Sequence, residues 1–349
     1  WRIETSPKYD AMCLIGTLAG DDFYTRYYET ELAEVKSLLS EETFAAANRS
    51  YGAFKEAKIL AGPWLALAYS AVDGDTLEAA ISATEDPREM RRGLEASKYW
   101  DEREWSVFEQ VRPDVLAMLR GLAEGGFTDW WQDNAERPSR ARANELQPQL
   151  AKIDVVPMIE KAVGRELSSN RITLYAARLC RPHGIRITGD RFLLDIVDSS
   201  DPLSVAGASA IHEMVHPPFD EKDERIVRLI ELLKKDSFVF QRWKNHDPAF
   251  GYNTFEGYVD EDVTKALDQL IGERVGMTYM DDVDERWVQN DEGMHVLAAA
   301  VYELMTRERF LEGDEDATEF LDRMVREKKL VPGQIEALVP ESVRLSGQR

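Results

Sequence analysis

Cysteine, histidine and long apolar runs are all scarce in this sequence of 349 residues. Its two cysteines, Cys13 and Cys180, could form one disulfide or remain buried thiols, so their number does not fix the redox compartment. No run of 18 or more apolar residues occurs, so we predict no transmembrane helix. Because the chain has only five histidines, two of them at a functional spacing would be notable.

Basic residues are outnumbered, with 43 Lys and Arg against 65 Asp and Glu, which gives a net charge of −22. Such a surface repels phosphate backbones and anionic lipid, so nucleic acids and membrane surfaces are poor candidate partners. The hydrophobic content of 44% is typical of a folded globular protein. The numbering begins at Trp1 without a methionine, so we expect it to start inside a longer precursor, from which an export signal could have been removed.

Two kinds of hydrophobic pattern divide the chain. Helical periodicity runs from about residue 8 to 125 and returns after residue 219. Short β-branched and aromatic stretches at 171–180, 184–189 and 191–198 indicate strands instead, with Gly189-Asp190 as a hairpin turn. The sequence therefore predicts a predominantly helical α+β fold with a small antiparallel sheet.

The domain organisation follows from the same change of pattern. We predict a helical N-terminal region over residues 1–145 and a second region over 146–349 that carries the chemistry. The two regions can also pack as one continuous domain.

The motif that carries the chemistry is "IHEMVH", in which His212 and His216 lie four residues apart. On a helix this spacing puts both imidazoles on one face, where they can bind one ion. Glu213 is rotated by about 100° from His212, so it can contact a water on the ion without being a ligand. A zinc hydrolase needs this arrangement, because the metal acidifies water and the carboxylate transfers its proton.

The coincidental alternative is a helix that contains two histidines by chance. An HExxH pattern occurs by chance in roughly 1% of chains of this length. The neighbouring positions favour a buried active-site helix, because a solvated helix would carry charges there; these apolar neighbours are Ala208, Ala210, Ile211, Met214 and Val215.

The bounds of the motif helix can be read from its flanking residues. Asp201 is a good N-cap and Pro202 suits the first helical position. Pro217 directly follows the second histidine and biases His216 away from helical dihedrals, so the helix must end at the second ligand.

A catalytic zinc with two histidines needs a third protein ligand, often a carboxylate from a later helix. In "GYNTFEGYVDEDVTKALDQL", Glu261 points away from the apolar stripe of the predicted helix and is our first choice. Glu256 points closer to the edge of that stripe. It remains an alternative, because "EGYVD" resembles the Glu-x-x-x-Asp pattern of thermolysin-like enzymes. We expect Asp260 and Asp262 to be solvated or to support the ligands.

A zinc hydrolase that attacks a carbonyl also needs a hydrogen-bond donor for the oxyanion that forms there. The candidates downstream of the motif are Tyr252, Tyr258, Tyr279 and His295. The strand at 191–198 precedes the motif, and such a strand can align an extended peptide by edge pairing.

These residues resemble the gluzincin group of zinc metallopeptidases, which combine HExxH with a distal glutamate. More narrowly, the chain is similar to uncharacterised bacterial families of predicted HExxH peptidases. The matching residues after the motif are Tyr252, Phe255, Glu261, Val263, Lys265 and Ala266. The resemblance implies a zincin-like fold whose sheet packs on the HExxH helix, with one Zn²⁺ on His212, His216 and Glu261. It also implies that Glu213 is the general base and favours an exported protein, periplasmic or extracellular.

Our hypothesis from the sequence is a zinc-dependent metallopeptidase that acts on a peptide or protein substrate. One alternative is a binding or scaffold protein that keeps the fold but has lost turnover. Another is a metal-dependent hydrolase of a bond other than a peptide.

Overall fold

The computed structural model describes residues 1–168, 171–247, 250 and 252–346. They form two compact units, each assembled from two separate stretches of the chain. The first unit comprises residues 1–151 and 171–202, and the second comprises residues 152–170 and 203–349. The chain therefore passes between the units three times, whereas the predicted division at residue 145 requires one passage.

The first unit is largely helical, as its periodicity predicts. Several of its helices begin at side chains that accept a hydrogen bond from a backbone N–H of the first turn, among them Ser40, Thr76 and Asp101. Its described α-helices are α1 (Pro7–Cys13), α2 (Ile15–Leu18), α3 (Asp22–Thr25), α4 (Glu29–Lys36), α5 (Glu41–Glu56), α6 (Ala61–Tyr69), α7 (Leu77–Glu85), α8 (Arg88–Glu95), α9 (Glu102–Glu124), α10 (Phe127–Trp131) and α11 (Arg137–Leu150). A π-helical turn, Gln132–Glu136, joins the last two.

The sheet also belongs to the first unit. Its described strands are β1 (Arg2–Glu4), β2 (Thr173–Ala176), β3 (Ile185–Ile187) and β4 (Arg191–Leu194), in the spatial order β1-β2-β4-β3. The β3–β4 hairpin is antiparallel, and Gly189 in its turn has a φ of +74°, as the Gly-Asp pair predicts.

The prediction of an antiparallel sheet is wrong for the other two pairings. Strands β1 and β2 are parallel, and so are β2 and β4, so the sheet is mixed. The alternation of side chains identifies a strand but carries no information on its direction, which depends on long-range connections. Because β4 lies between β2 and β3, it has no free edge, so it is a plain sheet strand and cannot align a peptide by edge pairing.

The two cysteines lie in the first unit as free, buried thiols. Burial raises the pKa of each thiol well above its ordinary value. Of the two possibilities that the sequence left open, the structure therefore has unpaired thiols. Among the described residues, no helix combines the length and the apolar character needed to cross a bilayer.

The second unit consists of helices and connecting segments. Its α-helices within the described residues are α12 (Val156–Val163), α13 (Pro202–Val215), α14 (Glu224–Leu233), α15 (Ser237–Lys244), α16 (Phe255–Val275), α17 (Val283–Gln289), α18 (Val296–Arg307), α19 (Ala317–Arg326) and α20 (Glu341–Ser346). Helix α13 carries the HExxH motif and has the predicted start and end. Helix α16 packs against α12, α14, α15 and α18, so both of its faces are buried.

Candidate metal centre

The motif histidines lie at the C-terminal end of α13. The backbone N–H of His216 donates to the carbonyl of His212 at 3.3 Å, so the last helical turn reaches the second histidine before the chain leaves the helix. The two imidazole centroids are 4.8 Å apart. The predicted end of the helix at the second histidine is confirmed, and the two rings still share one face.

Arg165 stabilises this helix end. Its Nη2 lies 3.0–3.5 Å from four consecutive carbonyl oxygens, those of Met214, Val215, His216 and Pro217. The last carbonyls of a helix lack intrahelical donors, and a cation near them is favourable. The guanidinium thus holds the backbone in place directly at the second histidine.

Helix α16 brings Glu261 to the two histidines. The helix begins at Thr254, whose side chain accepts from the N–H of Gly257, and ends at Gly276 in the left-handed region. Glu261 Oε2 is 3.1 Å from His216 Nε2, and Glu261 Oε1 is 3.8 Å from His212 Nε2. One ligand atom from each of the three residues falls within 4.8 Å of the others.

Glu256, the alternative third ligand, lies elsewhere. Its carboxylate pairs with Lys234 Nζ at 2.8 Å, and its side chain is 44% exposed. The structure therefore groups Glu261, and not Glu256, with the two histidines.

Each motif histidine is backed by a carboxylate from α16. His212 Nδ1 lies 2.7 Å from Asp268 Oδ2, and His216 Nδ1 lies 2.8 Å from Asp260 Oδ1. Such a carboxylate orients a ligating imidazole and fixes the proton on Nδ1, which leaves the Nε2 lone pair for the metal. In both residues it is Nε2 that faces Glu261.

Asp268 is itself held by a buried arginine. Arg286 Nη1 and Nη2 donate to its two oxygens at 2.6 and 3.1 Å, and Arg286 also donates to Gln269. Burial opposes ionisation of Asp268, but Arg286 and His212 outweigh it and lower the pKa of this carboxyl. The group behind His212 is thus a fixed negative charge.

The two oxygens of Glu261 have different surroundings. Oε1 lies 3.0 Å from Lys265 Nζ and 3.4 Å from the hydroxyl of Tyr252, whereas Oε2 faces His216. Burial alone would raise the pKa of Glu261, but Lys265 and the two imidazoles hold it well below its usual range. Glu261 therefore carries the charge that a metal ligand requires.

The donor set fits a divalent transition metal. Two imidazole nitrogens and one carboxylate form the three-residue set of a catalytic zinc site, which keeps a position for water. The side chains of His212, His216 and Glu261 are 16%, 26% and 14% exposed, so an ion and water can reach them. Burial favours neutral His216, but its hydrogen bonds to Asp260 and Glu261 raise its pKa to about 10, so an ion must displace a proton there.

Glu213, the predicted general base, is half-buried on α13 and lies outside the three-residue group. Its charge is one of the influences on the nearby Tyr279. Burial, with smaller contributions that include Asp268 and Glu213, raises the pKa of that hydroxyl.

The four predicted oxyanion donors separate into two pairs. Tyr258 and His295 are fully buried: the Tyr258 hydroxyl donates to the carbonyl of Met294, and both nitrogens of His295 contact carboxylates. Of the four candidates, these two are therefore excluded, because their polar atoms already serve the core.

The side chains of the other pair are partly exposed. The Tyr252 hydroxyl lies 3.4 Å from Glu261 Oε1, and Tyr279, 39% exposed, donates to Ser209 on α13 at 3.1 Å.

Sequence reasoning missed two of the residues that support the centre, Asp268 and Arg286, which carry no signal of their own in an acidic protein. Asp260 is one of the acids expected to be solvated or to support the ligands, and Lys265 belongs to the segment that carries the family resemblance. A partial signal was present, because Asp260, Thr264 and Asp268 recur every four residues and so share a helix face. Thr264 Oγ1 indeed lies 3.3 Å from His216 Nδ1.

Comparison with known proteins adds no relative. No protein-family model, curated protein or solved structure gives a significant match to the chain. The function can therefore be inferred only from the geometry of the site.

Proposed function

We propose that this protein is a zinc-dependent metallopeptidase. The observation that supports the proposal most strongly is the convergence of His212 Nε2, His216 Nε2 and a Glu261 carboxylate oxygen within 4.8 Å. Each imidazole has its other nitrogen on a buried carboxylate. Two histidines without a shared role would not be expected to direct the same ring nitrogen, Nε2, towards one glutamate.

The roles of the residues follow from their chemistry. His212, His216 and Glu261 would hold the ion, which when bound supplies Lewis-acid activation of water and of the substrate carbonyl. Glu213 would accept a proton from the attacking water and deliver it to the leaving amine nitrogen. Tyr252 or Tyr279 would donate a hydrogen bond to the oxyanion at the attacked carbonyl.

One observation favours the inactive scaffold as a second candidate. Lys265 Nζ lies 3.0 Å from Glu261 Oε1, and His216 Nε2 lies 3.1 Å from Glu261 Oε2. These ion pairs can satisfy the carboxylate without any metal. The hydrolase of a non-peptide bond has no observation of its own in its favour.

The test combines metal content with turnover. Protein purified without added metal should contain about one zinc per chain, and it should cleave members of a broad peptide library. Glu213→Gln should retain the zinc and lower kcat about 10²- to 10⁴-fold, because general acid–base catalysis is lost. The exposed Glu231→Gln on α14 is the matched control and should change neither quantity.

The outcomes separate the candidates. Bound zinc without cleavage of any peptide would favour the scaffold or another hydrolase. A protein that takes up no zinc, even when zinc is supplied, would reduce the cluster to a network of ion pairs and overturn the proposal.

A further inference from the structure

The connection between α16 and α17, residues 276–282, is fixed to the motif helix α13. Met277 packs closely on Gly207 of α13, because a Cβ at Gly207 would lie 2.1 Å from the Met277 sulfur. The Tyr279 hydroxyl donates to Ser209 Oγ of α13 at 3.1 Å. The connection therefore contacts α13 on the turn that precedes the HExxH motif.

Ser209 lies on the face of α13 that carries the proposed site. His212 and Glu213 follow it at the i+3 and i+4 positions, which are neighbouring positions on a helix surface. The Tyr279 hydroxyl is therefore close to a proposed ligand and to the proposed base. Burial, together with the charges of Asp268 and Glu213, raises the pKa of Tyr279 above its ordinary value. The hydroxyl thus keeps its proton and can donate a hydrogen bond.

Arg286 of α17 supports the ring of Tyr279. The guanidinium carbon lies 5.2 Å from the ring centroid of Tyr279 and 5.0 Å from that of Trp287. Both distances are within the range of cation–π contacts. Arg286 is 3% exposed, whereas Tyr279 is 39% exposed. The arginine is therefore buried beneath a ring that remains open to solvent.

The same arginine holds the carboxylate behind His212. Its Nη1 and Nη2 donate to the two oxygens of Asp268 at 2.6 and 3.1 Å, and Asp268 Oδ2 lies 2.7 Å from His212 Nδ1. The contacts form one continuous series that begins and ends on α13, and it runs in order through His212, Asp268, Arg286, Tyr279 and Ser209.

A guanidinium suits the central position in this series better than an ammonium does. Its planar group can donate two parallel hydrogen bonds to one carboxylate and also stack on an aromatic ring, whereas an ammonium is a compact point charge. Arg286 makes both kinds of contact. It therefore fixes Asp268 and Tyr279 relative to each other, which a lysine at this position cannot do.

The two partly exposed tyrosines differ in the acceptors of their hydroxyls. The Tyr252 hydroxyl lies 3.1 Å from Asp291 Oδ2 and 3.4 Å from Glu261 Oε1. Hydrogen bonds to carboxylates are stronger than those to neutral acceptors, so the Tyr252 proton is held there. An oxyanion near these two acids would also be repelled. Tyr279 donates to the neutral hydroxyl of Ser209, which a developing oxyanion can replace as the acceptor.

We propose that Arg286 is a positioning residue of the metal centre, which orients His212 through Asp268 and holds the Tyr279 hydroxyl for the oxyanion. The first part concerns metal binding alone. The second part rests on the proposed peptidase function and assigns the oxyanion donor to Tyr279 and not to Tyr252.

Zinc binding tests the first part without turnover. Arg286→Lys should weaken zinc binding about tenfold, measured by competition with a chromogenic chelator, as for other residues that orient metal ligands. In an Asp268→Asn background the same change should alter zinc affinity by less than about twofold, because the connection to His212 is already lost. Arg274→Lys, at an exposed arginine in the last turn of α16, is the matched control and should change neither affinity.

The comparison of the two backgrounds separates positioning from a purely structural role. An equal loss of zinc affinity in both, or no loss in either, would overturn the positioning role. If Arg286→Lys does not fold, Gln269→Met replaces it, because this change removes an acceptor of Arg286 Nη1 at 2.6 Å and leaves no carboxylate unpaired. It should weaken zinc binding about threefold, again only where Asp268 is present.

Turnover at saturating zinc tests the second part, on a peptide that the wild-type protein cleaves. Tyr279→Phe should lower kcat about 100-fold and change KM by less than about threefold, as for the loss of one oxyanion donor. The loss of kcat in Tyr252→Phe should be about tenfold smaller than that. Arg286→Lys should lower kcat in the wild-type background and add little to Tyr279→Phe, since both changes act on the same hydroxyl.

The outcomes distinguish this inference from the proposed function. Zinc affinities that depend on Arg286 only through Asp268, without cleavage of any peptide, would support the positioning of His212 and overturn the enzyme and the role of Tyr279. Cleavage with independent effects on zinc affinity would support the enzyme and overturn the positioning of His212. A loss of kcat in Tyr252→Phe as large as that in Tyr279→Phe would overturn the assignment of the oxyanion donor.

Discussion

Histidine–aspartate pairs occur in two regions on different faces of α16, and they have different roles there. In one, His212 and His216 each contact a buried aspartate of α16 through Nδ1. In the other, His295 contacts Asp262 of α16 at 2.5 Å through Nδ1 and Asp291 at 2.8 Å through Nε2. The pairing of imidazole with carboxylate is therefore not what distinguishes a metal centre.

The two regions differ in the partner of the second imidazole nitrogen and in the exposure of the residues to solvent. His295 is completely buried, and its two nitrogens face two separate acids. Asp262 also accepts from the N–H of Ala298 at 3.0 Å in the first turn of α18, so this region joins two helices. In the motif region, two second nitrogens face one shared, partly exposed carboxylate.

The largest expected effect separates the two regions by metal content. His212→Ala should lower zinc affinity on the order of 10³-fold or more, because one of three protein ligands is lost. The measurement is competition with a chromogenic chelator. His295→Gln is the comparison and should leave zinc affinity unchanged. If His212→Ala kept the wild-type zinc affinity, the assignment of zinc to the region of His212 and His216 would be wrong.

The second prediction concerns the stability of the buried region. His295→Ala should lower the free energy of unfolding by about 3–5 kcal/mol, because it leaves Asp262 buried without its charged partner. Urea denaturation of the zinc-loaded protein measures the loss. His295→Gln can keep one hydrogen bond and should lose less. If His295→Ala kept the wild-type free energy of unfolding but lost its zinc, His295 would have to be assigned to the candidate metal centre.

The helices around the centre were predictable because their signals are local. Asp201, Pro202 and Pro217 fix the ends of α13, and the hairpin β3–β4 follows from Gly189-Asp190. The three residues of β1 carry no periodicity, so nothing local marks that strand. The parallel pairings depend on which distant segments meet, and a pattern of alternation does not contain that information.

The candidate site divides in the same way. The positions of His212, His216 and Glu261 follow from spacing and from the direction of a helix face. The partner of each aspartate could not be predicted in this way. Asp260, Asp262 and Asp268 lie on one acidic helix, and yet they contact three different histidines.

The third prediction compares the three aspartates of α16. Asp268→Asn should weaken zinc binding up to about 100-fold and Asp260→Asn about tenfold, since each removes the charge that orients a ligating imidazole. Asp262→Asn, which changes the same side chain on the other face, should leave zinc affinity unaltered. Equal losses in all three variants would indicate a general effect of the charge of α16 and no specific support of the ligands.

The smallest expected effect concerns Lys265, which contacts Glu261 Oε1 at 3.0 Å. We expect zinc to be held through the other oxygen, because the ammonium competes for Oε1. Lys265→Met keeps most of the length of the side chain but removes its charge, so zinc affinity should rise severalfold, as for the loss of one nearby like charge. X-ray absorption should then detect a second carboxylate oxygen at the zinc, while Lys234→Met, which releases the exposed Glu231 and Glu256, should change nothing. An unchanged spectrum and affinity in Lys265→Met would mean that the lysine serves the packing of α16 alone, and that the asymmetry of the two Glu261 oxygens has no part in metal binding.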